Sequence, residues 1–266
     1  MVRIYVIFTD LDGTLLDENY SYEDALPVLE TLKRKNVPII FCSGKTKSEM
    51  EVIRRKTGIY HPFIVEDGSA IYIPRNYFGE VSGKVTNGFE VIVLGVEFEK
   101  IAEEIERVRK KYYIKCYSHL TIEEVARITG LSIEEAKLAK QREFSETVVE
   151  ASDEALEALR KKFNIVIGGR FVHVFGKHAD KGKAVRILTD LYRKKWGEVT
   201  TVGIGNSYTD EPMLRAVDIP AIVKNPDGTW AELRVENLYR ANAIGPKGWV
   251  EVIKTFVKNV DDYERK

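Results

Sequence analysis

Apolar residues along this chain fall into short runs that alternate with helical periods. The run Val6-Ile7-Phe8 leads into Asp10, and Ile39-Ile40-Phe41 leads into Cys42 and Ser43. Short apolar runs closed by turn-forming polar residues predict buried strands. On this basis Arg3–Thr9 reads as a strand, Tyr22–Lys35 as a helix and Val37–Cys42 as a strand. Thr46–Lys56 then reads as a helix and Phe63–Glu66 as a strand. Strand-helix alternation of this kind predicts a parallel sheet with helices on its faces.

The rhythm changes near residue 80, where Gly79, Gly83 and Gly88 punctuate a polar stretch. Beyond it, Glu90–Leu94 reads as a strand and Glu97–Lys111 as a helix, with Phe98, Ile101, Ile105 and Val108 on one face. Two capping-box signatures, Thr121 with Glu124 and Ser132 with Glu135, predict two short helices. Glu146–Glu150 is predicted as a strand, Asp153–Lys162 as a helix, and Ile165–Ile167 and Phe171–Val174 as strands. The first rhythm resumes with helix Lys181–Lys195, strand Val199–Ile204, helix Glu211–Val217, strand Ala221–Val223 and helix Gly248–Val260. The simplest parse is a discontinuous α/β core, residues 1–80 and 178–266, with residues 81–177 inserted as an α+β domain.

Composition narrows the function classes. The chain has 266 residues, 44% of them hydrophobic, enough for a large core. Its 41 basic residues balance 41 acidic ones, so it lacks the basic excess of a nucleic-acid or membrane-surface protein. Two cysteines, Cys42 and Cys116, are too few for a disulfide framework or a four-cysteine zinc site, and predict a reducing setting. No leader or membrane-length apolar stretch precedes Asp10, and a cytoplasmic location is expected. Charged residues reach 31% and glutamine occurs once, at Gln141, a pattern of heat-adapted proteins.

Four segments of the predicted core carry chemistry. Asp10-Leu11-Asp12-Gly13-Thr14 places two carboxylates at a strand end, where open α/β sheets bind ligands. Acids so close repel each other unless a cation binds or one is protonated. Ser43-Gly44-Lys45-Thr46 offers a hydroxyl and the N–H groups of a helix start to a phosphate. Asp180-Lys181-Gly182-Lys183 opens a helix with a cation at Lys181. Gly205-Asn206-Ser207-Tyr208-Thr209-Asp210 supplies oxygen ligands of the kind Mg²⁺ takes. Singly each has a plain structural reading: Thr46 and Asp210 as helix caps, Lys181 as a solvated helix residue.

In this order, these segments resemble the four motifs of the haloacid dehalogenase-like phosphatases. The resemblance implies a Rossmann-like core, and the insert lies where that family carries its C2-type caps. It implies that Asp10 is the nucleophile that forms an aspartyl-phosphate and Asp12 the general acid and base. It further implies phosphoryl contacts from Thr14, Ser43, Gly44 and Lys181, and Mg²⁺ held by Asp10, Asp12 and the fourth motif. That motif commonly opens with Gly-Asp; here Asn206 stands at the acid's position, so the remaining ligand is either Asn206 or Asp210.

Within that family the chain resembles more narrowly the branch acting on mannosyl-3-phosphoglycerate, a precursor of a compatible solute. The segments 139–146, 168–174 and 206–214 carry this likeness. The implied partner is a small phosphorylated sugar-glycerate. Another sugar-phosphate phosphatase, a phosphomannomutase or a non-catalytic sugar-phosphate sensor are the alternatives. Arg142 and Arg170 are candidates for the substrate carboxylate, since guanidinium pairs with it in a fork. Glu143, Ser145, Glu146 and His173 are candidates for sugar hydroxyls. Equally, Arg142 and Glu146 have the spacing of a surface helix pair, and His173 sits among apolar neighbours as a structural histidine would.

Overall fold

A computed structural model of the chain describes residues 4–79, 81, 83–168 and 171–257. In chain order its first half holds β1 (Ile4–Thr9), α1 (Leu26–Arg34), β2 (Ile39–Phe41), α2 (Lys47–Thr57), β3 (Phe63–Val65), β4 (Ala70–Pro74), β5 (Lys84–Thr86) and β6 (Phe89–Val93). Next come α3 (Phe98–Arg109), β7 (Ile114–Cys116), α4 (Ile122–Thr129), α5 (Ile133–Ala139), β8 (Ser145–Ala151), α6 (Asp153–Arg160), β9 (Phe163–Ile167) and β10 (Val172–Gly176). The chain then runs through α7 (Lys181–Trp196), β11 (Val199–Gly205), α8 (Glu211–Leu214), β12 (Ile219–Lys224), β13 (Tyr239–Ile244) and α9 (Gly245–Phe256).

The strands form three sheets. The first has the order β13-β12-β11-β1-β2 and is parallel throughout. Its inner strands, β1 above all, are buried on both faces, as a parallel sheet covered by helices requires. Tyr5, Ile7, Ile39 and Phe41 pack on one side with Val28, Leu29 and Leu32 of α1 and Trp249, Val252 and Ile253 of α9. Val6, Phe8 and Ile40 pack on the other with Ala184, Val185 and Leu188 of α7 and Met213 of α8. The chain leaves β1 toward β2 on one flank and reaches β11 on the other. A crevice therefore opens at the carboxyl end of β1, the usual ligand position in such sheets.

The second sheet, β3-β4-β6-β5, is antiparallel and joins the core edge through a bridge between Cys42 and Ile64. It spans residue 80, where the glycine-rich stretch suggested a change of domain. The third sheet, β7-β8-β10-β9, is also antiparallel. One of its faces packs on α3 and α6 through Ile101, Ile105, Val108, Ala155 and Leu159. Helices α4 and α5 form a smaller cluster with Tyr117 and Leu120.

Four strands lay outside the sequence expectation. β4 is buried on both faces, so it shows no alternation. β5 and β13 are sheet edges with exposed residues, and β7 has three residues. Glu211–Val217 shortens to Glu211–Leu214, and the final helix starts earlier, at Gly245, with Pro246 in its first turn. Cys42 and Cys116 are buried free thiols. Among the described residues, no helix is long and apolar enough to cross a membrane.

Candidate active site

Four strand-to-helix transitions meet at the carboxyl edge of the parallel sheet. β1 delivers Asp10, whose N–H donates to Ile204 O of β11 at 2.9 Å. The chain then turns sharply, with Thr14 N–H donating to Leu11 O at 3.1 Å and Gly13 N–H to Leu16 O at 2.9 Å. Gly13 sits at φ +75°, and a Cβ there would lie 2.5 Å from Asn206 Nδ2. Only glycine satisfies both the left-handed backbone and this approach. β2 leads through Cys42 to buried Ser43, and Thr46 caps α2 in a reciprocal capping box with Glu49. Asp180 caps α7 by accepting Lys183 N–H at 2.8 Å, which places Lys181 at the first helical position. After β11, Asp210 Oδ2 accepts from the N–H groups of Asn206 (3.0 Å) and Ser207 (3.1 Å), closing that loop on its own acid.

Lys181 is the electrostatic centre. Its Nζ lies 2.8 Å from Asp210 Oδ1, 3.4 Å from Asp10 Oδ1 and 3.9 Å from Asp67 Oδ1. Burial opposes its charge, but Asp210 and Asp10 outweigh burial and raise its pKa well above the ordinary lysine range. Asp10 moves up to about 8, chiefly through burial, with Asp210 and Asp12 adding repulsion that Lys181 only partly offsets. Asp12 is half exposed at the mouth, and Lys45 Nζ holds its Oδ2 at 2.9 Å. Lys45 is itself pulled down by burial and raised, on balance, by Asp12 and Glu49.

The oxygen donors suit a hard divalent cation. Thr14 Oγ1 faces both Asp10 Oδ2 (3.5 Å) and Asn206 Oδ1 (3.1 Å), so one hydroxyl brings these two acceptors together beside Asp12. Asn206 Nδ2 donates to Asn225 Oδ1 at 2.8 Å, which fixes the amide with its oxygen toward Thr14. Asp210 faces Lys181 with one oxygen and the loop N–H groups with the other. Among the described residues there is no cluster of three His, Cys, Asp or Glu side chains placed for a metal. The donor set here is instead one carboxylate, one amide and the neighbouring Asp12.

Above these groups lies a cavity of about 790 Å³. Asp10, Asp12, Ser43, Gly44, Lys181 and Asn206 line its core side, and Arg142 and His173 line it from the third sheet's layer. The other candidates sit elsewhere. Thr14 is buried behind Asp10, and Asp210 is buried beneath Lys181. Glu143 accepts from Tyr72 Oη at 2.9 Å, Ser145 bonds Glu66, and Glu146 accepts Ser118 N–H at 3.2 Å. None of these three lines the cavity: Glu143 and Glu146 accept from a tyrosine O–H and a loop N–H, and Ser145 donates to the buried Glu66 carboxylate. Arg142 and Glu146 do not form the helical pair their spacing allowed: residues 142–146 lead into β8, and Arg142 Nη1 donates to Ser145 Oγ at 2.7 Å. Arg170 lies outside the described residues.

The structure adds groups that the sequence reading passed over. Tyr20, Asp67 and Tyr117 all line the cavity. Asp67 had a sequence signal: Glu66-Asp67-Gly68 ends an apolar run just as Asp10-Leu11-Asp12-Gly13 does. Burial pushes Asp67 up, but His173, Lys181 and Arg142 outweigh it and hold the carboxyl at about 2.

Comparison with known proteins identifies the family. The profile of the haloacid dehalogenase-like hydrolases matches residues 7–230. A Persephonella marina protein named glucosyl-3-phosphoglycerate/mannosyl-3-phosphoglycerate phosphatase is 40% identical over 264 residues, 96% of this chain and 98% of its own. The mannosyl-3-phosphoglycerate phosphatase of Pyrococcus furiosus is 41% identical over 244 residues, 91% of this chain and 97% of its own. Among solved structures, a haloalkanoate-superfamily phosphatase from Bacteroides thetaiotaomicron shares the fold, with a TM-score of 0.67 and 18% identity over 96% of each chain. The chain belongs to the haloacid dehalogenase-like hydrolase family.

Proposed function

We propose that this chain is a Mg²⁺-dependent phosphomonoesterase that removes the phosphate of mannosyl-3-phosphoglycerate and releases mannosylglycerate. The observation that carries this reading is Asp10, a nearly buried carboxylate at a strand end. It stands 3.4 Å from the Lys181 ammonium on the floor of a cavity that also holds Ser43 and Asn206. The names of the two relatives described above support the substrate.

Asp10 attacks phosphorus, and a carboxyl O–P bond forms as the bond to the departing alcohol oxygen breaks. Asp12, at the cavity mouth, gives that oxygen its proton and then takes one from the water that hydrolyses the aspartyl-phosphate. Lys181 and the Ser43 hydroxyl hold the phosphoryl oxygens, and Asp210 fixes Lys181 from below. Asp10, Asn206 and the Asp12 main chain would hold Mg²⁺, which when bound neutralises charge between the carboxylate and the phosphate. Thr14 and Asp210 serve this arrangement from behind, by fixing Asn206 and Lys181. In this reading the layer built on β7–β10 is a cap over the core, and Arg142 reaches from it toward the substrate carboxylate.

A phosphate-release screen over phosphorylated sugars and glycerates with Mg²⁺ tests the proposal. The sugar-glycerate should give the highest kcat/KM. Asp10→Asn should lower turnover by about three orders of magnitude or more, the scale of losing a nucleophile. In ¹⁸O-water the released phosphate should carry label; its absence would point to phosphoryl transfer between sugars instead. Full activity in EDTA would remove the metal from the scheme.

A further inference from the structure

The segment Glu66-Asp67-Gly68 has three successive residues in the left-handed region, at φ 49°, 58° and 89°. Two of them carry side chains, which costs backbone energy that the surroundings must offset. The turn is pinned to the core by its backbone. Glu66 N–H donates to Lys45 O at 3.1 Å, and Asp67 N–H to Ser43 O at 3.2 Å, so it rides on the loop that carries Ser43. Both side chains point the other way, toward the cap. Glu66, fully buried, accepts from the N–H groups of Glu143 (2.9 Å) and Phe144 (3.0 Å) and from the Ser145 hydroxyl. Asp67 Oδ2 meets His173 Nδ1 of β10 at 2.7 Å, while its Oδ1 lies 3.9 Å from Lys181.

Space at this junction is tight. A Cβ on Gly44 would lie 3.0 Å from Asp67 Oδ2 and 3.1 Å from His173 Cε1. The glycine in the Ser43 loop thus leaves room for the cap histidine to come down onto Asp67. The pair can form only when β10 lies over the core.

Resting on the phosphatase reading for its chemistry, we infer that Asp67 is a positioning residue, a latch that His173 engages when the cap closes. The left-handed turn aims Asp67 at the cap and, through the shared backbone, fixes the Ser43 loop beneath it. Closure and alignment of Ser43 and Lys181 are therefore one event. Glu66 anchors the start of β8 nearby and sets where the cap pivots. What passes through the latch is the hydrogen bond from His173. Asparagine, whose Oδ1 accepts the same bond, should replace Asp67, and alanine should not.

Cap position can be read without any turnover. Cysteines introduced at Tyr60 in the core and Tyr113 in the cap, both exposed, accept spin labels while Cys42 and Cys116 stay buried. Asp67→Ala and His173→Ala should each broaden and lengthen the inter-label distance distribution, and Asp67→Asn should restore it. In kinetics well below the melting temperature, each alanine variant should lower kcat/KM about tenfold or more. The double variant should fall no further than the worse single, and Asp67→Asn should recover most of the loss. Unchanged distances in Asp67→Ala, multiplicative losses in the double variant, or an asparagine as poor as alanine would each overturn the latch. If the wild type releases phosphate from no phosphomonoester while the distances shift as expected, the phosphatase reading fails and the latch stands.

Discussion

At the scale of single residues, the site is governed by one buried cation among three buried carboxylates. Lys181 is 3% exposed and touches Asp10, Asp67 and Asp210. Lys181→Met keeps much of the volume but removes the cation that Asp10 and Asp210 both face; Asp210 keeps its loop N–H groups and Asp67 keeps His173. The substitution should abolish phosphate release and lower stability by about 3–5 kcal/mol in urea titrations at neutral pH. A second residue makes stability depend on pH. Burial, helped by Arg54, holds His61 down at about 4, and its Nδ1 meets Tyr77 Oη at 2.6 Å. Its folded pKa lies below the unfolded value near 6.5, so between the two the unfolded chain binds the extra proton. The contribution of His61 is complete above about pH 6.5 and is lost as pH falls toward 4, by about 3 kcal/mol in all. Unfolding titrations from pH 4 to 7 should show a shallower slope for His61→Gln than for wild type, and equal slopes would refute the assignment. Residues with a local signature were legible in the sequence: Asp10, Asp12 and Asn206 by their strand ends, Lys181 by its helix start. Asp67 carries the same acid-glycine strand end, but the partner that gives it meaning is a histidine 106 positions away, which no local signature names.

At the scale of elements, legibility followed the period of the pattern. α3 was found within two residues at each end, since its apolar stripe is regular and buried. The capping boxes at Thr121 and Ser132 were readable because capping is a four-residue rule, and both form as the sequence indicates. β4 left no alternation to read, and β13 is an edge strand of mixed polarity. One signal went unused. Asn87-Gly88, both at positive φ, turns β5 into β6, and Asn-Gly between strands is a strong two-residue hairpin cue. The N-terminus of α2 joins element to site. Thr46 Oγ1 accepts Glu49 N–H at 3.2 Å and donates to Leu138 O at 3.0 Å in the cap. Thr46→Ala should cost about 1 kcal/mol of stability as a lost cap, read as a lower urea midpoint at unchanged m. Thr46→Ser, which keeps the hydroxyl, should recover most of it.

At the scale of the whole molecule, the proposed reading puts substrate choice where two layers meet. The core alone presents acids, Lys181 and Lys45; the groups that would read a carboxylate come from the cap. Arg142 Nη1 is committed, 3.2 Å from Gly44 O and 2.7 Å from Ser145 Oγ, which braces the Ser43 loop against the cap. Arg142 lines the cavity, and a carboxylate entering there would take a charge-assisted bond from its guanidinium. Losing such a bond is worth about 1.5–3 kcal/mol, or roughly 10- to 150-fold in KM. Arg142→Gln should therefore raise KM for mannosyl-3-phosphoglycerate by at least about tenfold, while kcat/KM for a sugar phosphate without a carboxylate should stay within about threefold. The comparison separates two roles that one side chain combines. If Arg142 serves mainly to brace the Ser43 loop against the cap, the variant should lose equally on both substrates. If it reads the glycerate, the loss belongs to the carboxylate alone.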